Sequence, residues 1–194
     1  MMHVKVIGIS GSMGSGKEVV KQIILRNLSA YSVSLSAAIH GEMEKKRMQF
    51  TRQTMQDMGD EIRGKYGAFI FAKFSTEFMS RDRPYLVVEG ITNPAEAEWL
   101  KKAYKGDFVL VGVDAQQQTR FDRLKKKENN HVIEPASFDE FVRLDSREMG
   151  EGEPAHGLQV RKCIEMADYK ITNDGDQAQL ESAVKEMLSK ISAV

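Results

Sequence analysis

The chain has 194 residues, enough for one well-buried core, and we expect a single domain spanning 1–194. Lysine plus arginine and aspartate plus glutamate each number 28, so the overall charge favours neither a nucleic-acid nor a membrane partner. The single cysteine, Cys163, excludes an intrachain disulfide and a multi-cysteine metal site. No segment has the apolar length of a membrane-spanning helix, and we expect a cytoplasmic protein.

Five short segments predict β-strands, and helical patterns lie between them. The segments are residues 3–9, 31–35, 85–89, 108–113 and 169–172. Three of them are nearly continuous apolar runs, which are typical of strands buried on both faces of a parallel sheet. After the first strand, apolar residues recur at helical spacing as Val19, Val20, Ile23, Ile24 and Leu28. The alternation predicts an α/β fold, with a five-stranded parallel sheet and helices on both faces.

Two longer regions interrupt this alternation, at about 37–80 and about 115–165. Both are rich in arginine, lysine and glutamate, and both contain glycine or proline at intervals. This composition predicts mobile helical inserts rather than core elements. We expect the substrate to be gripped between them.

The sequence GSMGSGKE, residues 11–18, follows the first predicted strand and precedes an amphipathic helix. Glycines let successive backbone N–H groups turn toward a phosphate, and a lysine at the helix start can reach the terminal phosphates. An ordinary glycine-rich turn is the alternative, which the flanking strand and helix disfavour. The segment therefore predicts a Walker A phosphate-binding loop (P-loop) composed of Gly11, Ser12, Met13, Gly14, Ser15, Gly16 and Lys17.

Glu18 departs from this motif, which has Ser or Thr after the lysine. A carboxylate can ligate Mg²⁺ but adds a negative charge beside the phosphates. Three interpretations stay open. Glu18 binds Mg²⁺ directly or through water, it points away and water fills the coordination position, or the loop binds nucleotide without transferring phosphate.

Glu89 is a second candidate acid, because it ends the predicted strand YLVVE, at the edge where such sheets bind ligands. It is a candidate second-sphere magnesium ligand or a base toward the acceptor hydroxyl or phosphate. The alternative, an acid that caps the following helix, is about equally favoured by the sequence.

Several arginines recur at spacings that place them on shared helix faces. Arg120 and Arg123 are three residues apart, and Arg143 and Arg147 are four apart. Cationic side chains that close over a transferring phosphoryl group stabilise its charge, so these pairs predict a lid. The alternative is a solvated charged face, which accounts for most such clusters.

Arg52 and Arg63 are eleven residues apart, which returns them to within about 20° of each other on an unbroken helix. Both can then point at the phosphate of an acceptor. Gly59 lies between them and makes the unbroken helix uncertain.

Six segments resemble, in order, the dephospho-CoA-kinase-like and adenylate-kinase-like branch of P-loop small-molecule kinases. The segments are GISGSMGSGKE, FTRQTMQDMGDEIRGKYG, LVVEGITNPAEAEWLK, TRFDRLKKK, RLDSREMG and ADYKITNDGD. The resemblance implies a P-loop NTPase fold with an acceptor-binding insert, a lid, and ATP and Mg²⁺ as cofactors. The sequence departs from the pattern of the branch at two positions. One is Glu18, and the other is Glu89, where members commonly carry aspartate.

The resemblance also implies roles for individual residues. Gly11 to Lys17 would cradle the ATP phosphates, Arg120 and Arg123 would be lid arginines, and Arg52 and Arg63 would face the acceptor. The turn from Asn173 to Asp176 after the last strand would lie under the adenine, with Asn173 and Gly175 as its binding residues.

We therefore expect ATP- and Mg²⁺-dependent phosphoryl transfer to a small phosphorylated acceptor, with a nucleoside monophosphate or dephospho-CoA as leading candidates. Lys17, Arg120, Arg123 and Glu89 are the expected catalytic residues; Arg143 and Arg147 join the acceptor arginines. The alternative is a nucleotide-binding regulatory module or pseudo-enzyme in which Glu18 weakens catalysis. The sequence does not indicate an oligomeric state.

Overall fold

The computed structural model describes residues 4–77, 83–127 and 131–192. The strands are β1 Lys5–Gly11, β2 Ala30–Ser34, β3 Tyr85–Ile91, β4 Phe108–Asp114 and β5 Tyr169–Thr172. They form one sheet in the order β2-β3-β1-β4-β5, and each of its four pairings is parallel. The predicted five-stranded parallel sheet is confirmed, although His3, in the first predicted strand, lies outside the described residues.

Helices connect the strands and occupy both predicted inserts. They are α1 Lys17–Asn27, α2 Ser36–Lys45, α3 Arg52–Tyr66, α4 Ile70–Glu77, α5 Pro94–Tyr104, α6 Gln117–Lys125, α7 Phe138–Glu148, α8 Val160–Glu165 and α9 Gln177–Ser192. Within the described ranges, none is long and apolar enough to cross a membrane.

The sheet is buried on both faces because successive residues of each strand point to opposite sides. In β1, Val6 joins one core cluster, whereas Ile7 joins the other. The first cluster includes side chains of α2 to α5 and α8, and the second includes those of α1 and α9. Helices therefore cover both faces, as the alternation of elements predicted.

Cys163 lies within the first core cluster and is fully buried. Burial raises the pKa of its thiol to about 12, so the thiol stays protonated at neutral pH. We therefore interpret Cys163 as a structural residue of the core.

The strand order places a crevice at the C-terminal end of β1. Strands β2 and β3 lie on one side of β1, and β4 and β5 lie on the other. Open α/β sheets bind ligands where the strand order reverses in this way. At the same edge the pairing of β1 with β3 skips Gly90, which takes a φ of 83° and forms a bulge directly after Glu89.

The two insert regions meet above this edge. Ile133 N donates a hydrogen bond of 2.7 Å to Phe50 O, and Thr51 and Ile133 form an isolated parallel bridge. Residues 78–80 of the first region and 128–130 of the second lie outside the described residues.

Candidate functional site

The loop between β1 and α1 has a backbone that only glycine accommodates at key positions. Gly14 has a φ of 74° and Gly16 a φ of 96°, both in the left-handed region. A Cβ atom on Gly16 would lie 2.3 Å from Asn173 Nδ2, and one on Gly11 would lie 2.2 Å from Val113 O. Glycine is therefore required at these positions by a positive φ or by the close approach of neighbouring backbone and side-chain atoms.

Two serine hydroxyls of this loop are buried and have no hydrogen-bond partner in the part of the chain that the structure describes. Ser12 and Ser15 are fully buried, and the Oγ atom of each makes no hydrogen bond to any described residue. Buried polar groups are normally paired, so unpartnered hydroxyls beside a ligand loop indicate room for polar contacts with a ligand.

Lys17 begins α1 and folds back over the loop. Its Nζ donates a hydrogen bond of 2.8 Å to Ser12 O. Burial lowers the pKa of Lys17, and the carboxylate of Glu148 acts in the opposite direction. The ammonium lies at the positive end of a helix, where an anion is favoured.

Asn173 supports the loop from the turn after β5. Its Nδ2 donates a hydrogen bond of 2.8 Å to Ser15 O, and its backbone N donates one of 2.7 Å to Asp114 O. The side chain is buried at this contact. Gly175 lies in the exposed part of the same turn. Of the two predicted adenine-binding residues, Asn173 therefore contacts the loop backbone itself.

Glu18 does not point into the loop. Its carboxylate lies along α1, where Lys21 Nζ is 2.7 Å from Oε2 and Gln22 Nε2 is 2.9 Å from Oε1. Burial raises the pKa of Glu18, but the hydrogen bonds from these two residues outweigh it and hold the pKa below its usual value. Lys21 Nζ also contacts Glu89 Oε1 at 2.8 Å, so one ammonium bridges both predicted metal-binding acids.

These acids form a limited set of metal ligands. The described part of the chain contains no group of three or more His, Cys, Asp or Glu side chains placed to hold a metal ion. Two carboxylates that share one cation provide hard oxygen ligands. Mg²⁺ commonly uses one or two carboxylates and takes its remaining ligands from water and phosphate, so the two acids fit this ion.

A cavity adjoins the loop on the side of α3. Its polar lining includes Lys17, Arg52, Arg63 and Glu148, and its apolar lining includes Met13, Leu35, Ile39, Met55 and Leu158. Helix α3 runs unbroken through Gly59, so both of its predicted acceptor arginines reach the same cavity as Lys17.

The two acceptor arginines are already paired with acids. Arg52 donates to both carboxylate oxygens of Glu134 at 2.7 Å. The side chain of Arg63 is 3% exposed, and its Nη2 contacts Glu96 Oε1 at 3.2 Å. The buried Arg63 Nη1 and Gln56 Oε1 make no hydrogen bond within the described chain, and both residues line the cavity. This wall therefore has both paired cations and unsatisfied polar atoms.

Arg120 and Arg123, the predicted lid pair, differ in their surroundings. Arg120 is buried behind the loop, where its guanidinium contacts both oxygens of Asp145 and donates to Ala115 O at 2.8 Å. Arg123 lines a second opening that includes Gly14 and Lys17, and its buried Nη1 has no hydrogen-bond partner among the described residues. Arg123 is thus available to a ligand, whereas Arg120 holds α6 against α7.

Arg143 and Arg147 do not line either opening next to Lys17. Arg143 donates to Gln53 Oε1 at 3.1 Å, and Arg147 contacts Asp57, Asp60 and Glu153. Both arginines join α7 to α3, and Arg147 also contacts the loop after α7. The structure thus separates them from the cavity in which Arg52 and Arg63 meet.

Glu148 is a site residue that the sequence interpretation missed. Met13 N donates a hydrogen bond of 2.7 Å to Glu148 Oε2, and Glu148 lines the cavity beside Lys17. The acid stands directly after Arg147 in RLDSREMG, at the end of a helix interpreted as a cationic face. Its position at a helix end next to this arginine was the available signal.

No protein-family model matches the chain. A UPF0200 protein from Thermococcus onnurineus is 28% identical over 193 residues, which cover 97% of this chain and 98% of that protein. A UPF0200/UPF0201 protein from Archaeoglobus fulgidus is 26% identical, covering 98% of this chain. The chain spans 57% of the length of that longer relative.

Solved structures share the fold at low sequence identity. Shikimate kinase from Acinetobacter baumannii, in complex with shikimate, gives a TM-score of 0.56 at 16% identity, covering 99% of this chain and 95% of that one. Shikimate kinase from Aquifex aeolicus gives 0.53 at 17% identity, covering 97% and 96%. The chain has the fold of P-loop kinases, and these likenesses do not single out the nucleoside monophosphate or dephospho-CoA branch.

Proposed function

We propose that the protein transfers a phosphoryl group from ATP to a small acceptor. The observation that carries this proposal is the glycine-rich loop whose Lys17 opens onto a cavity lined by Arg52, Arg63 and Glu148. A phosphate cradle and an adjoining cavity with cationic and acidic groups are the parts that phosphoryl transfer requires.

In this proposal the loop N–H groups and Lys17 hold the nucleotide phosphates. Glu148, which faces the same cavity, accepts the proton or orients the hydroxyl when the acceptor attacks through a hydroxyl; a monophosphate acceptor attacks through a phosphate oxygen and needs no such base. Arg123 reaches the phosphates from the second opening and stabilises charge on the transferring group. Mg²⁺, when held with Glu18 and Glu89, supplies neutralisation of phosphate charge.

We propose that residues about 37–80 form the acceptor-binding insert and about 115–165 the lid of a single domain spanning 1–194. The cavity combines arginines with an apolar wall, which includes Leu35, Ile39 and Met55. Such a lining suits an acceptor that carries an anionic group next to a less polar body. A nucleoside monophosphate and dephospho-CoA both have this chemistry and are the leading candidates.

The proposal is tested by incubating the protein with ATP and Mg²⁺ and a panel of nucleoside monophosphates, dephospho-CoA and small hydroxy acids. We expect acceptor-dependent ADP release with at least one of them. Lys17→Ala should abolish this release, because the phosphates lose their cation. Lys73→Ala, which removes an exposed lysine of α4, is the matched control. The proposal would be contradicted if none of the acceptors increased ADP release.

A nucleotide-binding regulatory module is the second candidate function. The observation that favours it is the orientation of Glu18, which pairs with Lys21 and Gln22 and leaves no hydroxyl where the motif has Ser or Thr. In that case calorimetry should show ATP binding of equal strength with Mg²⁺ and with EDTA, and Glu18→Ser should produce no turnover. A strong gain of turnover in Glu18→Ser would instead favour the transferase.

A further inference from the structure

Three charged side chains form a cluster beside the phosphate loop. Lys21 Nζ lies 2.7 Å from Glu18 Oε2 and 2.8 Å from Glu89 Oε1. The side chains of Lys21 and Glu89 are 12% and 17% exposed, whereas that of Glu18 is 62% exposed. The ammonium is therefore largely enclosed, and one of its two acids faces the solvent.

This cluster results from both local and tertiary structure. Glu18 and Lys21 are three residues apart on α1, so they lie on one helix face. Glu89 comes from the end of β3, where the bulge at Gly90 ends the regular pairing with β1. A helix and a strand thus bring two carboxylates into contact with a single ammonium.

The two carboxylates are the hard oxygen ligands that Mg²⁺ prefers. The ammonium occupies the position that contacts both of them, which is where a cation shared by the two acids would also lie. A lysine here lowers the negative charge that would otherwise attract a free divalent cation.

We propose that Lys21 is a built-in counter-cation that competes with divalent cations for Glu18 and Glu89. The metal then binds at this site chiefly together with nucleotide phosphates. The phosphates add oxygen ligands and negative charge, so the metal can bind despite the positive charge of Lys21. The nucleotide part of this proposal rests on the proposed function, whereas the competition between Lys21 and a free cation does not.

The test measures Mn²⁺ binding without nucleotide, by the electron paramagnetic resonance signal of free Mn²⁺. In Lys21→Met we expect affinity for Mn²⁺ to rise about tenfold or more, because two carboxylates lose their shared cation. Lys21→Arg keeps the positive charge and should bind Mn²⁺ as the unmodified protein does. Lys73→Met is the control for removal of a lysine elsewhere.

A second variant assigns the gain to this site. Glu89→Gln in the Lys21→Met background should remove the gain, and circular dichroism should show that each variant is folded. If Lys21→Met misfolds, Lys21→Gln is measured in its place. An unchanged Mn²⁺ affinity on loss of the lysine charge would overturn the proposal, as would a gain that survives Glu89→Gln.

Nucleotide binding provides the remaining readout. We expect the Mg²⁺ dependence of ATP affinity to shift to lower Mg²⁺ concentration in Lys21→Met. A protein that binds Mn²⁺ as expected but shows no acceptor-dependent ADP release would contradict the proposed transferase and leave the role of Lys21 supported. If acceptor-dependent ADP release is observed but the Mn²⁺ affinity is the same with and without the Lys21 charge, the transferase is supported and the proposed role of Lys21 is contradicted.

Discussion

The phosphate loop and the arginines around it differ in how far their polar groups are satisfied. In the loop, the hydroxyls of Ser12 and Ser15 are buried without hydrogen-bond partners among the described residues. Around it, Arg52, Arg120 and Arg147 each contact at least one carboxylate. The loop is organised to bind an anion from outside the protein. Most of the predicted anion-binding arginines, in contrast, are already paired with a carboxylate of the protein itself.

The difference shows that a cationic side chain near a site is not by itself a ligand-binding side chain. Separating a buried arginine from its carboxylate leaves an unpaired charge in the protein interior, which costs about 3–5 kcal/mol. Arg120 is therefore best understood as a support of the loop. Arg123 retains a buried nitrogen without a hydrogen-bond partner in the described chain, so it can meet a ligand at lower cost. Arg63 Nη1 also lacks a hydrogen bond there, but it lies 3.7 Å from Asp60 Oδ1.

The largest effect should come from a change in the loop itself. In Gly16→Ala the new Cβ would lie 2.3 Å from Asn173 Nδ2 on a backbone with a φ of 96°. We expect ATP affinity, measured by calorimetry, to fall about 100-fold or more, because the loop N–H groups lose their alignment. Gly106→Ala is the control, since a Cβ there meets nothing within 4 Å. Equal ATP affinity in both variants would show that the loop does not hold the phosphates.

Glu148 connects the loop to the cavity and tests whether the site is catalytic. If it accepts the acceptor proton, Glu148→Gln should lower kcat about 10²–10⁴-fold. ATP affinity should change little, because glutamine can still accept the hydrogen bond from Met13 N. Steady-state kinetics and calorimetry together separate these effects. A kcat close to that of the unmodified protein would assign Glu148 to support of the loop alone.

Asp145 tests the structural role of the buried arginine. Asp145→Ala leaves Arg120 buried without its carboxylate, and we expect the free energy of unfolding to fall by about 3–5 kcal/mol. Asp57→Ala removes one acid from the partly exposed Arg147 cluster and should cost less than about 1 kcal/mol. Urea denaturation measures both values. Equal losses would contradict the distinction between buried and exposed pairs.

Asp60 should give the smallest effect, a dependence of stability on pH. Burial and the neighbouring Glu153 raise the pKa of Asp60 from 3.8 to about 6, although Arg147 and Arg63 oppose them. The folded state thus holds this proton more tightly than the unfolded chain does. Its contribution to stability is complete below pH 3.8 and is lost as the pH rises through about 6.

We therefore expect Asp60→Asn to flatten the fall in stability across this pH window. Urea denaturation at a series of pH values measures the slope, and Asp57→Asn serves as the matched control on the same helix. A slope that persists unchanged in Asp60→Asn would assign the titration to another group.

The fold was accessible from local patterns because each pattern reflects a local physical cause. Apolar runs such as YLVVE predict strands buried on both faces, and the spacing of Val20, Ile23 and Ile24 predicts the helix that covers them. The spacing of Arg52 and Arg63 was equally informative, since α3 continues through Gly59 and brings both to one cavity.

The partners of charged residues were less accessible, because they come from segments far apart in the chain. Arg52 contacts Glu134, and Arg120 contacts Asp145, across separations of 82 and 25 residues. The contact between Met13 and Glu148 spans 135 residues, and no local spacing indicates it. Helical spacing tells which side chains share a face, but it does not tell which acid that face meets.

The sequence by itself determined the α/β architecture, the glycine-rich loop and the position of Lys17, because periodicity and backbone freedom are properties of neighbouring residues. Tertiary structure alone decided that Lys21 also bridges to Glu89 and that Glu148 faces the cavity. Long-range packing sets these contacts, because a charged side chain can pair with any partner that the fold brings close to it, however far apart the two are in sequence.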